Sequence, residues 1–96
     1  MKMVMISYNE ALEGDVMEKL QAAGIESYTQ WTKVRGKGKT AEPHLGSTVW
    51  PKYNTVIMAA IDDDMLPALL AGVRELRQKL GREGIKAFVL PLEQVT

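Results

Sequence analysis

The chain contains no cysteine, one histidine and one phenylalanine. Without thiols it can hold no disulfide, no thiolate nucleophile and no cysteine zinc site. With a single imidazole, His44, and no thiol, no Ser–His–Asp or Cys–His arrangement can be assembled. Charge of one sign is also missing: 12 Lys and Arg balance 12 Asp and Glu, so no global field draws the protein to nucleic acid or to an anionic membrane. No apolar run approaches the roughly 20 residues that cross a bilayer, which excludes direct membrane insertion. The amino-terminal MKMVMISYNE carries too short an apolar run for the core of a signal peptide. The expected location is the cytoplasm. A hydrophobic content of 46% and a charged content of 25% describe an ordinary globular chain, and 96 residues suit one domain spanning 1–96.

Periodicity divides the chain into six elements. Residues 3–7, MVMIS, have the length and apolarity of a buried strand. Leu12, Val16, Leu20 and Ala23 then form a helical stripe. Its acids, Glu10, Glu13, Asp15 and Glu18, lie toward the positive end of the helix dipole, and Gly24 marks its stop. A second strand is predicted over Ile25–Val34, rich in β-branched and aromatic residues, and a third over Tyr53–Ile61. Asp62, Asp63 and Asp64 supply capping acids for a second helix with Met65, Leu66, Leu69, Leu70, Val73, Leu76 and Leu80 on one face. Pro67 is compatible only with the first turn, Gly81 ends the helix, and Ile85–Leu90 makes a fourth strand.

The order β-α-β-β-α-β is that of the ferredoxin-like α+β fold, a four-stranded antiparallel sheet with two helices on one face. Its other face is left bare, and with no spare helix in the chain a symmetric oligomer is the economical way to cover it.

The segment VRGKGKTAEPHLGSTVWP, 34–51, breaks all periodicity and reads as a loop of about 35–51 between the second and third strands. Glycines set between cations let backbone N–H groups approach an anion while ammonium groups neutralise it. GxxxxGK[ST] is absent, so this is no Walker P-loop. Cations and aromatics are not interleaved, which speaks against a nucleic-acid interface. The plain alternative is a solvated strand connection. His44, with Glu42 beside it, could ligate a divalent metal if three copies met at an axis. Trp50 before Pro51 reads as an anchor for the returning arm. Consecutive Asp62–Asp64 point in different directions and cannot converge on one ion. Acylphosphatases share the strand order, but no amino-terminal glycine-rich loop with a catalytic arginine occurs, so a non-enzymatic role is expected.

VRGKGK at 34–39, WPK at 50–52 and the acid-rich, glycine-terminated LEGDVMEKLQAAGI together resemble the PII signalling superfamily. There the second strand ends in V-K-G-x-G-R, a long T-loop follows, and the third strand opens after a proline–lysine pair. The resemblance covers nearly the whole chain. It implies a homotrimer that binds a small anionic ligand, such as ATP or ADP, in clefts between subunits. Loop 37–50 would then signal occupancy to a transporter or enzyme. Matched residue by residue, Gly36, Gly38 and Lys39 fall on the family's loop base, Lys52 on the lysine opening the third strand, and Lys86 on its phosphate-binding lysine. KLGREGIK at 79–86 stands where the family has T-G-x-x-G-D-G-K, and through Thr96 the family's carboxyl-terminal arginines have no counterpart. A second reading, from the related fold of CutA, is a metal-responsive trimer with His44 as ligand.

Overall fold

A computed structural model describes residues 1–37, 53–80 and 84–96. Strand β1 (Lys2–Asn9) leads through a 3-10 turn (Glu10–Leu12) into α1 (Glu13–Ala22), and β2 (Thr29–Val34) follows. After β3 (Asn54–Ile61), a second 3-10 turn (Asp63–Met65) opens α2 (Leu66–Leu80), and β4 (Ile85–Pro91) ends the order. The sheet runs β2-β3-β1-β4 with every neighbouring pair antiparallel. This is the ferredoxin-like α+β arrangement expected from the sequence.

Alternation decides which face is core. Val4, Ile6 and Tyr8 of β1 are buried, and they oppose Ala59, Ile57 and Thr55 of β3, which are buried too. Ile85 extends the row on β4, opposite Tyr8. Against this face lie Val16 and Leu20 of α1 and Leu69, Val73 and Leu76 of α2. Each such side chain, fully buried, contributes roughly 1.5–3 kcal/mol of transfer free energy. Both helical stripes therefore fall where the spacing places them.

Strand β1 is longer than residues 3–7, because Tyr8 continues the buried alternation. Strand β2 begins at Thr29 rather than Ile25, for a reason at the end of α1. Gly24 adopts φ +79°, its N–H donates to the Gln21 carbonyl at 3.0 Å, and the Ile25 N–H donates to the Leu20 carbonyl at 2.9 Å. This pair of bonds is a Schellman motif, and its usual hydrophobic contact is made here by buried Ile25 and Leu20. Ile25 is thus a helix-capping apolar residue, not a strand residue.

The capping acids of the second helix also behave differently from expectation. Asp62 holds the N-cap position without a side-chain bond, while its carbonyl accepts from Met65 N–H at 3.0 Å. Asp63 pairs with the terminal ammonium of Met1 at 3.1 Å, and that contact lowers its pKa. Pro67 is the second residue of α2, within the first turn as required. Gly81 lies outside the described residues. Among the described residues, no helix is long and apolar enough to cross a membrane.

The face away from the helices stays apolar. It carries Met3, Met5, Val56, Met58, Trp31, Phe88 and Leu90. Phe88 is 53% exposed, Leu90 and Trp31 45% each.

Candidate ligand-binding end of the sheet

The split βαβ topology gathers the candidate residues at one end. Strands β1 and β2 end there, and β3 and β4 begin there. The β2–β3 connection and the α2–β4 connection therefore leave from the same edge of the molecule. Gly36 and Lys86 are both found at this end. Gly38, Lys39 and Lys52, like His44 and Glu42, lie outside the described residues.

Gly36 lies against β3. A Cβ at this position would collide with the side-chain amide nitrogen of Asn54, so either the amide moves or the residue stays glycine. Asn54 opposes Asn9 across β1, and two residues back Ser7 opposes Lys86 of β4. Lys86 is exposed and alternates with buried Ile85, so its ammonium stands on the helix-free face. The neighbouring strand positions fill the row Trp31, Val56, Ser7, Lys86.

The start of β4 is clamped from two sides. Asn9 N–H donates to the Gly84 carbonyl at 2.8 Å. Arg77, in the last turn of α2, donates through Nη1 to the Ile85 carbonyl at 2.8 Å. Asn9 additionally caps the first 3-10 turn, its Oδ1 accepting from Ala11 N–H at 2.9 Å. One asparagine thereby fixes the entry to α1, the start of β4 and the register with Asn54.

A polar cluster ties the helix side of the same end together. The phenol of Tyr8, 1% exposed, donates to the Glu13 carboxylate and accepts from Gln30 Nε2 at 3.1 Å. Gln30 Nε2 also lies 3.1 Å from each Glu13 oxygen. Burial, reinforced by the bond to Glu13, pushes the Tyr8 phenol well above its ordinary pKa, so it is a neutral donor at any physiological pH. Beside this cluster Lys33 reaches the Glu10 carboxylate at 2.9 Å and lies 5.3 Å from the Tyr53 ring centre. Glu10 N–H donates to the Tyr53 carbonyl at 3.1 Å.

Sequence reasoning finds Gly36 and Lys86 but misses Asn9, Asn54, Arg77 and the Tyr8–Glu13–Gln30 cluster. A weak signal exists for Asn9, a capping residue placed ahead of a helical stripe. The others depend on cross-strand register, which no local pattern encodes. Two shallow hollows of about 340 and 320 Å3 flank the turn at Gly24–Glu26. They open at the far end of the sheet, away from Gly36 and Lys86, and offer little charge to an anion.

The nitrogen regulatory protein P-II family model matches residues 1–96. No curated protein matches the chain. Among solved structures, the PII-like protein CPII of Thiomonas intermedia K12 bound to ADP, AMP and bicarbonate is similar at TM-score 0.72 and 24% identity. That alignment covers 93% of this chain and 82% of CPII. CPII bound to ADP, AMP and acetate gives a TM-score of 0.70 at 21% identity, covering 92% and 81%. A PII-like signalling protein of Thermus thermophilus gives 0.67 at 20%, covering 93% and 82%. At these identities the structural likeness speaks for the fold. The comparisons do not favour a CutA-like metal trimer, and among the described residues no group of three metal-ligating side chains forms. The family model, by contrast, covers every element of the sheet and both helices, so the chain belongs to the P-II family.

Proposed function

We propose that the protein is a cytoplasmic PII-like regulator, one domain over 1–96, that binds an adenine nucleotide in the clefts of a homotrimer. The observation that carries this reading is that Gly36, beyond β2, and Lys86, on β4, lie at the same end of the sheet, on its two opposite edges, in a P-II family chain. Gly36 offers bare backbone beside Asn54, and Lys86 offers an exposed ammonium on the helix-free face. Gly38, Lys39 and Lys52 belong to the connection that leaves from the same end and complete the ligand set. Loop 37–50 then reports occupancy to a transporter or enzyme, as a segment ordered by charge neutralisation.

The open face supports the oligomer. Met5, Met58, Phe88 and Leu90 form an apolar surface that water contacts unfavourably, and a second and third copy would cover it. The structures of CPII bound to ADP, AMP and bicarbonate support an adenine nucleotide as the ligand class, with a small carboxylate-like anion as a candidate co-ligand.

Calorimetric titration with ATP, ADP and AMP, each with and without bicarbonate, tests the reading. Binding is expected for at least one nucleotide. Lys86→Ala should weaken it roughly 10- to 100-fold, the worth of one charge-assisted hydrogen bond. No heat with any nucleotide at near-millimolar protein would refute it.

A further inference from the structure

Among the described residues Lys33 alone, of the non-glycines, adopts positive φ, at +59°. It does so inside a β-strand, where a side chain with a Cβ disfavours that conformation. The pairing explains why. Trp31 opposes Val56 and Val34 opposes Asn54, so three steps along β2 match two along β3, and the extra residue makes a β-bulge.

The bulge reverses the parity of the strand. Before it, Thr29 and Trp31 share the helix-free face with Met58 and Val56; after it, Val34 takes that face opposite Asn54. In an unbulged strand residue 33 itself would oppose Asn54 and stand on the helix-free face. The bulge instead carries the Lys33 ammonium to the helix side, where it meets the Glu10 carboxylate at 2.9 Å and the Tyr53 ring at 5.3 Å. The backbone disfavours this arrangement, and the two side-chain contacts favour it. Both contacts are solvent-accessible, with Lys33 67% and Glu10 44% exposed, so they are open to competition from salt.

We propose that β2 has two registers about this point and that Lys33 selects between them. In the bulged register its ammonium is clasped by Glu10 and Tyr53. In the in-line register Lys33 opposes Asn54, and its charge joins Lys86 on the helix-free face. Because a one-residue slip sends every following side chain to the opposite face, the same step changes the direction in which Arg35 and Lys37 leave the sheet. The device operates in the stem of the connection and requires no bound ligand.

The registers differ in cross-strand contacts that solution NMR reads directly: Val34 to Asn54 when bulged, Lys33 to Asn54 when in line. Glu10→Gln removes the ion pair and keeps the disfavoured backbone, so the Lys33–Asn54 contact should appear. The double change Glu10→Gln with Lys33→Gly removes the steric cost at positive φ and should restore the bulge, shifting the ratio roughly 5- to 30-fold. For the unmodified protein, raising salt from about 0.01 M to 1 M, where the Debye length falls to about 3 Å, should move the population toward the in-line register. If the Val34–Asn54 contact persists unchanged both in Glu10→Gln and at high salt, the bulge is fixed and the proposal fails.

Discussion

Replacing Tyr8 by Phe keeps a buried ring in place and removes one hydroxyl. The phenol is 1% exposed, donates to Glu13 and accepts from Gln30 at 3.1 Å. A hydrogen bond to a charged group contributes about 1.5–3 kcal/mol net. Part of that is recovered, because Gln30 Nε2 keeps both Glu13 oxygens at 3.1 Å and Glu13 is reached by water, so no partner is orphaned. The expected loss near neutral pH is therefore about 1–2 kcal/mol, or a fall in Tm of roughly 4–16 °C for a domain of this size. The pH dependence isolates the cause. The Tyr8 pKa is raised in the folded state, so above about pH 10 the unfolded chain releases this proton while the folded chain keeps it. Folded-state stability from Tyr8 is fully present below pH 10. It declines by up to about 1.4 kcal/mol per pH unit as pH rises toward the folded pKa. Urea titrations of both proteins from pH 7 to pH 11 should show the advantage of Tyr8 shrinking only above about pH 10, since the two proteins differ at this residue alone. A difference independent of pH over that range, or a Phe variant as stable as the parent, would refute the reasoning.

Further expectations follow from burial and register. Ile57, 0% exposed at the centre of β3, should cost about 2–5 kcal/mol on truncation to Ala, read by chemical denaturation. Phe88→Asp places a carboxylate on the open face opposite Met5, and sedimentation should show it as a smaller species than the parent while its helical circular dichroism is retained. Gly36→Ala should weaken ADP binding by displacing the Asn54 amide, and Asn54→Gly in the same chain should restore much of it. Arg77→Met removes the donor to the Ile85 carbonyl, so amide exchange at the start of β4 should accelerate while that of β1 and β3 changes little.

The elements were legible because helical stripes and short apolar runs are local. Leu12, Val16 and Leu20 declare a helix by spacing alone, and Leu69, Val73 and Leu76 declare another. What escaped were features that depend on two segments at once. Ile25 looks like a strand residue in isolation, but its amide completes the helix cap and its side chain packs with Leu20. Asp62 looks like a cap, yet its carbonyl rather than its carboxylate makes the bond. Lys33 reads as one cation in a run. Only the pairing of β2 with β3 shows that it is the bulged residue, turned away from the face its neighbours use. Of the candidate site, Gly36 and Lys86 came from motif resemblance. Asn54, which sets the space above Gly36, carries no signal in a single sequence.

Topology also decides where attraction for an anion can originate. The amino-terminal end of α1 and the carboxyl-terminal end of α2 both lie at the end of the sheet that holds Gly36 and Lys86. Their backbone dipoles oppose each other there, the first positive and the second negative by about half a charge. Neither helix can act as an anion site for the whole end, since the other offsets it. Side chains must supply the field. Lys33, Arg35, Lys37, Arg77 and Lys86 are described cations near the strand ends, and Glu10 and Glu13 oppose them from the start of α1. The cations outnumber the two acids, so this end is net positive, and the position of the Lys33 ammonium decides whether Glu10 neutralises it or it adds to Lys86 on the helix-free face. Lys33 is bound to Glu10 in a backbone conformation its own Cβ resists, and among these cations it is the one whose position is tied to the register of β2.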